Sequence, residues 1–300
     1  MKVFFLAFFL FPAFLSGQNY TLTILGIAQD GGYPHAGCEK NCCKDLWKNN
    51  GEGEKVVSLG ITDEDQNKAW MFEASPDFKY QYEMLTKGGK KLEGIFITHA
   101  HIGHYTGLMH LGREVMGAKS IPVFTMPKMA DFLKNNGPWS QLIELKNIQI
   151  KPIDHFKTSL IADGLMVTPL LVPHRDEFSE TVGFMIEGPT KKVLFVPDIN
   201  KWSDWDQELE TWLQLVDFAF LDATFFKNGE IPGRDMSEIP HPFVEETMNL
   251  LKDASSDLKS KIYFIHFNHT NPLIRKDSEA REEVLEKGFN LAEEGMIFKL

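Results

Sequence analysis

The sequence predicts an α/β fold, a single domain in which two sheets lie between layers of helices. Three observations predict it. Apolar runs of strand length are interspersed with amphipathic helical stretches, without the regular alternation of a simple parallel sheet. No low-complexity linker or break in composition divides the 300 residues, and no repeat is specifiable by sequence. Histidines and aspartates stand directly after several apolar runs, where a buried strand hands over to a loop.

The elements follow in order. Lys2 precedes an apolar run over residues 3–15, and Ser16-Gly17 supply small residues, the pattern of a secretory signal peptide cleaved between Gly17 and Gln18. The run is short for a bilayer span and contains Pro12, so an uncleaved anchor is the weaker alternative. The expected organisation is a signal peptide over 1–17 and one domain over 18–300, exported to the periplasm or secreted, with no later membrane segment. Residues 21–27 read as a strand, and Gly31-Gly32 with the cysteine region as a loop. Residues 56–62 and 69–74 read as strands joined by a polar turn at 63–67, and 77–86 as a helix with Asp77 near its start. Residues 94–98 form a strand that runs into a histidine-rich loop. Strands are predicted next at 121–125, 165–172, 181–187, 192–196, 218–221, 261–266 and 296–300. Helices are predicted at 128–134, 205–215, 243–251 and 278–287.

Composition excludes some functions. Hydrophobic residues make up 43% and charged residues 24%, ordinary values for a chain long enough to bury a core. A formal net charge of −11 repels phosphate backbones and argues against a broad nucleic-acid groove. The expected partners are a small-molecule substrate and, as one option, a second copy of the chain.

The chemistry centres on His99-Ala100-His101-Ile102-Gly103-His104, directly after the apolar Ile95-Phe96-Ile97. Imidazoles at that spacing converge only if the strand ends and the chain turns, and Gly103 and Gly107 are expected to permit the turn. His174, Asp198, Asp222 and His266 each follow another apolar run. Five such strand ends point to one shared metal site. Cys38, Cys42 and Cys43 place three thiols within six residues. An odd number including an adjacent pair suits a metal better than disulfides, although one disulfide with a free thiol is the alternative.

At these residues the chain resembles the metallo-β-lactamase superfamily, whose signature His-x-His-x-Asp-His appears here as His99 to His104. Residues 25–34, 172–177, 221–226 and 266–272 look like the coenzyme PQQ synthesis protein B group within it, with phosphodiesterase and tRNase Z branches as cousins. The resemblance implies a four-layer αββα sandwich with zinc at the edge between the sheets. It implies that His99, His101 and His174 hold one zinc and leave room for a water, that Asp198 ligates or bridges, and that His104 and His266 face a second metal. His241 matches loosely a proton donor of the phosphodiesterase cousins. Asp222 is expected to orient a ligand histidine, or else to be a turn residue. Arg175 either meets an anionic substrate or pairs with Asp176 or Glu177. A structural zinc is implied at Cys38, Cys42, Cys43 and His269, with His35 a substitute ligand because the cysteine spacing departs from the commoner pattern. His110 and His155 are expected to be structural or solvent-facing.

Gly103 departs from the signature, because the family's aspartate at that position binds the second metal and orients water. Three readings follow: a weak second site held by His104, His266 and Asp198 alone, an enzyme with one zinc, or a pocket without hydrolysis. The favoured expectation is an exported zinc-dependent hydrolase using metal-bound hydroxide on a small ester or phosphodiester. The alternatives are an oxidoreductase or hydroxylase like the PQQ-synthesis group, and a non-catalytic metal- or cofactor-binding protein.

Overall fold

A computed structural model describes residues 19–49 and 53–300. The expected signal peptide lies outside the described residues. The strands are β1 (Tyr20–Gly26), β2 (Ser58–Asp63), β3 (Lys68–Phe72), β4 (Lys91–Phe96), β5 (Ile121–Thr125), β6 (Ile148–Pro152), β7 (Ser159–Ala162), β8 (Leu165–Leu171), β9 (Val182–Glu187), β10 (Lys192–Val196), β11 (Phe218–Asp222), β12 (Ile262–Ile265), β13 (Asn290–Leu291) and β14 (Ile297–Lys299).

They form two seven-stranded sheets, ordered β14-β1-β2-β3-β4-β5-β6 and β13-β12-β11-β10-β9-β8-β7. Taken from β14 in one and β7 in the other, each sheet has three antiparallel pairings followed by three parallel ones. The two sheets thus share a topology that no residue repeat announces.

Side-chain alternation explains the layers. On β3, Trp70 and Phe72 join the core between the sheets, while Ala69 and Met71 pack against the helices Phe78–Thr86 and Pro127–Asn135. The helices Leu209–Leu215, Val244–Leu250 and Glu279–Glu286 cover the second sheet through residues such as Leu213, Val244 and Val284. Both faces of each sheet are therefore covered, and the fold is the four-layer αββα sandwich. Among the described residues no helix is long and apolar enough to cross a membrane.

Where the sheets meet, Phe96 stacks on Phe72 and Phe124 at centroid distances of 4.8 and 4.3 Å, and Phe184 meets Phe72 and Phe96 edge-on at 5.5 and 5.7 Å. Such pairs add about 0.5–1.5 kcal/mol each beyond burial. Phe72 and Phe96 are the last residues of their strands, so this aromatic floor fixes where the next residues emerge.

The structure corrects several expected elements. The cysteine region is a turn followed by the helix Asn41–Asn49, which carries Cys42 and Cys43. The helix expected at 205–215 starts only at Leu209, because Trp205 is buried and its Nε1 donates to Leu171 O, which holds the preceding segment against β8. The helix Trp139–Glu144 and strands β6 and β7 are additional.

Candidate metal centre

β1, β3 and β4 end on one edge of the first sheet, and β8, β10, β11 and β12 deliver their carboxyl ends to the same edge of the molecule. The loops that follow bring together His99, His101 and His104 after β4, His174 after β8, Asp198 after β10, Asp222 after β11 and His266 after β12. Two further carboxylates join them that sequence reasoning missed: Asp30 after β1 and Glu73 directly after β3. Glu73 and His266 both have left-handed backbones, with φ of 74° and 69°. That strain is uncommon in non-glycine residues and clusters at functional sites.

Four donor atoms converge first. His99 Nε2 and His101 Nδ1 are 2.8 Å apart, His101 Nδ1 and His174 Nε2 3.3 Å, and Asp198 lies 3.3 Å from both His99 Nε2 and His174 Nε2. Zinc–nitrogen bonds of about 2.0–2.1 Å in a tetrahedron require donor separations of about 3.3 Å, so the spacing suits one metal ion. A second group places Asp30, His104 and His266 with ligand atoms within 4.8 Å of one another. Asp198 Oδ2 also approaches His104 Nε2, at 3.7 Å, and so stands between the two groups.

The outward ring nitrogens are fixed by partners. His99 Nδ1 meets Thr98 Oγ1 at 2.9 Å, and His101 Nε2 meets Glu177 at 3.3 Å. His104 Nδ1 lies 3.3 Å from the fully buried Glu73 carboxylate, and His266 Nδ1 meets Thr224 Oγ1 at 2.9 Å. Thr224 in turn donates to Asp222 Oδ1 at 2.7 Å. A proton held on the outer nitrogen leaves the inner lone pair for a metal. The inner His104 Nε2 and His266 Nε2 are buried without hydrogen-bond partners, as is Asp198 Oδ1. Orphaned buried atoms of that kind are costly unless something coordinates them. The donor set therefore fits a bound metal.

Charge points the same way. Asp30, Glu73, Asp198 and Asp222 face one another across the site, and their ion-pair partners among the described residues are all histidines. Burial, helped by neighbouring imidazoles, pushes His99 well below the ordinary range. It takes His174 down to about 2 and His266 to about 3, which keeps these rings neutral and able to ligate a metal. Burial raises the Asp198 carboxyl. His104 behaves oppositely: burial would lower it, but Glu73 and Asp30 outweigh burial and hold it well above the ordinary range. Its pocket favours a positive charge.

Gly103 and Gly107 do not bend the chain as expected, since neither has a positive φ. What each supplies is the absence of a side chain. A Cβ on Gly107 would lie 2.2 Å from Ser75 O, and one on Gly103 would lie 2.2 Å from Asp30 Oδ1.

The remaining expected residues are placed as follows. Asp222 reaches His266 through Thr224, since its own oxygen is 4.0 Å from His266 Nδ1, and it binds His241 Nδ1 directly at 2.8 Å. Burial lowers the His241 pKa, but Asp222 and Asp198 more than offset this and raise it to about 9. Arg175 is exposed with its guanidinium 4.0 Å from Glu177, while Asp176 accepts from Thr181. His110 stacks on Phe78, and His155 Nδ1 accepts from Leu171 N.

A separate cluster gathers Cys38, Cys42, Cys43 and His269. All three thiols are unpaired, with Sγ separations of 3.7 Å between Cys38 and Cys42 and 3.9 Å between Cys42 and Cys43. Zinc–sulfur bonds of about 2.3 Å in a tetrahedron give edges of about 3.8 Å, so this spacing also suits a metal. His269 Nδ1 meets Asn268 Oδ1 at 2.9 Å, and burial lowers its pKa to about 4. His35 packs against His269 with the rings tilted by 34° and their centroids 4.3 Å apart, and it is not one of the four donors.

A family model for the Beta-lactamase superfamily domain matches residues 70–267, which span β3 to the residue after His266. Coenzyme PQQ synthesis protein B of Klebsiella pneumoniae is 27% identical, covering 93% of this chain and 98% of its own length. The crystal structure of Zn2+-bound PqqB from Methylobacterium extorquens is similar with a TM-score of 0.77 at 20% identity, covering 93% of this chain and all of that one. A diphosphatase from the PhnP family is similar at a TM-score of 0.62 and 21% identity, over 94% and 97% of the two chains.

Proposed function

We propose that this chain, which belongs to the β-lactamase superfamily, is a metal-dependent hydrolase of small esters or phosphodiesters that acts after export from the cytoplasm. One observation carries the reading: imidazoles from three loops turn their inner nitrogens into two adjoining donor groups with Asp198 between them, and four of the five rings have an outer partner that sets the tautomer. When bound there, a zinc ion supplies Lewis acidity and lowers the pKa of a coordinated water to about 7.

The chain's own residues do the rest. His99, His101 and His174 hold the ion with neutral nitrogens, and Asp198 faces both donor groups. His241, kept protonated by Asp222 and Asp198, is the proton donor for a leaving alkoxide. Its Nδ1 is engaged by Asp222, so Nε2 is the nitrogen that serves the leaving group. An acid of this kind matters for esters and phosphodiesters, whose alkoxides leave poorly without a proton. Metal content and turnover of ester, phosphodiester and lactam substrates, with and without chelator, test the reading. Full metal occupancy with no turnover on any substrate sinks it.

The similarity to coenzyme PQQ synthesis protein B over 93% of the chain supports a second reading, a part in coenzyme synthesis through an oxidoreductase or hydroxylase reaction. It requires a redox-active metal and oxygen-dependent turnover, so aerobic and anaerobic assays with a metal inventory separate the two. Export is tested by N-terminal sequencing of protein from the periplasm or medium, which should begin at Gln18.

A further inference from the structure

We propose that Asp30 takes over the work of the aspartate missing at position 103, completing a second metal centre with His104 and His266, and that residue 103 is glycine to make room for it. The proposal rests on the metal-centre reading above and assigns a ligand from outside the histidine signature.

The carboxylate stands where a side chain at 103 would begin. Asp30 Oδ1 accepts from Gly103 N at 3.2 Å and lies 3.4 Å from His104 Nε2. A Cβ on residue 103 would come within 2.2 Å of Asp30 Oδ1 and 2.7 Å of Asp30 Cα. Because the second contact is to backbone, no rotation of the Asp30 side chain relieves it. The two positions cannot both carry a carboxylate in this backbone.

Asp30 is fixed in place rather than draped over the site. Gln29 N donates to Phe267 O, and Phe267 N donates to Ile27 O, so the segment leaving β1 is laced to the residue after His266. Gln29 Nε2 holds Asp30 Oδ2 at 3.1 Å, leaving Oδ1 for the site. The ligand atoms of Asp30, His104 and His266 lie within 4.8 Å of one another, and the inner nitrogens of both histidines are buried without hydrogen-bond partners. A 3.4 Å separation of His104 Nε2 and Asp30 Oδ1 matches the edge of about 3.3 Å expected for two donors on one ion. His104 comes from the signature, His266 from β12 and Asp30 from β1, so the trio exists only once both sheets have formed.

The test counts zinc per chain and measures the affinity of the last equivalent bound at the histidine site, using wild type, Asp30→Asn and Gly103→Asp. Asp30→Asn keeps the size and removes the charge. It should weaken that last equivalent by more than about 100-fold, beyond the usual loss for an outer partner. Gly103→Asp should gain no metal, since its side chain meets the backbone at Asp30. Unchanged zinc affinity in Asp30→Asn overturns the proposal, as does a metal gain in Gly103→Asp alone. If Gly103→Asp fails to fold, as judged by near-UV circular dichroism, the Asp30→Asn affinity decides alone. Turnover of the substrate panel in the same samples is a separate readout: a chain that binds two zincs through Asp30 yet hydrolyses nothing defeats the proposed function and leaves this assignment standing.

Discussion

The histidine cluster and the cysteine cluster are built in opposite ways. The thiols come from one turn and one helix, six residues end to end, and only His269 arrives from elsewhere. The histidine cluster draws on loops after β1, β3, β4, β8, β10, β11 and β12 and is complete only when both sheets are in place. Four of its five rings also have an outer partner, such as Thr98, Glu73 and Thr224, whereas the cysteine cluster shows one, Asn268. The difference teaches that a local cluster clips a loop down, while a dispersed one reads out whether the whole sandwich is assembled. A metal at the first secures structure, and at the second it is placed for chemistry.

Removing a donor from each should separate the two. His99→Ala should lower turnover by more than about 100-fold, beyond the loss of an outer partner, while the cysteine cluster keeps its equivalent of zinc. Cys43→Ser should do the reverse. It should lose one zinc and lower the thermal midpoint by several degrees, at roughly 2–4 °C per kcal/mol for a chain of this size, with turnover per loaded histidine site within a few-fold of wild type. A Cys43→Ser protein as inactive as His99→Ala would break the distinction. Thr224→Val cuts the link from Asp222 to His266, and a metal titration should show affinity at the histidine site reduced about 10–100-fold. Glu177→Gln touches the most exposed of the outer partners, 49% accessible, and should cost less than about 1 kcal/mol, under five-fold in metal affinity.

Much of this was legible in the sequence because buried strands announce themselves. Runs such as Val193-Leu194-Phe195-Val196 are apolar on both faces, and the polar residue that ends each run marks the edge where the site lies. Asp30 was not legible, since Gln29-Asp30-Gly31-Gly32 reads as an ordinary turn and nothing local says that it meets Gly103. Glu73 left a signal that went unused: a carboxylate inside Trp70-Met71-Phe72-Glu73-Ala74 is out of place unless it has a buried partner. β6 and β7 were missed as short, partly exposed edge strands, although Ile148 and Ile150 alternate with Gln149 and Lys151 in a strand-like way. The shared order of the two sheets lies in pairing and direction, which leave no residue pattern to find.

The pairing of β14 with β1 has a consequence for biosynthesis. Thr21 stands in register opposite Lys299, far along the chain. At synthesis rates of roughly 5–20 residues per second, β1 exists for some tens of seconds before its outer neighbour is made. During that interval its edge is open to pairing with other chains. The first sheet is therefore completed only after every strand of the second has been made, and a chaperone that guards β1 in that interval should raise the yield of folded protein more than one that acts on the completed chain.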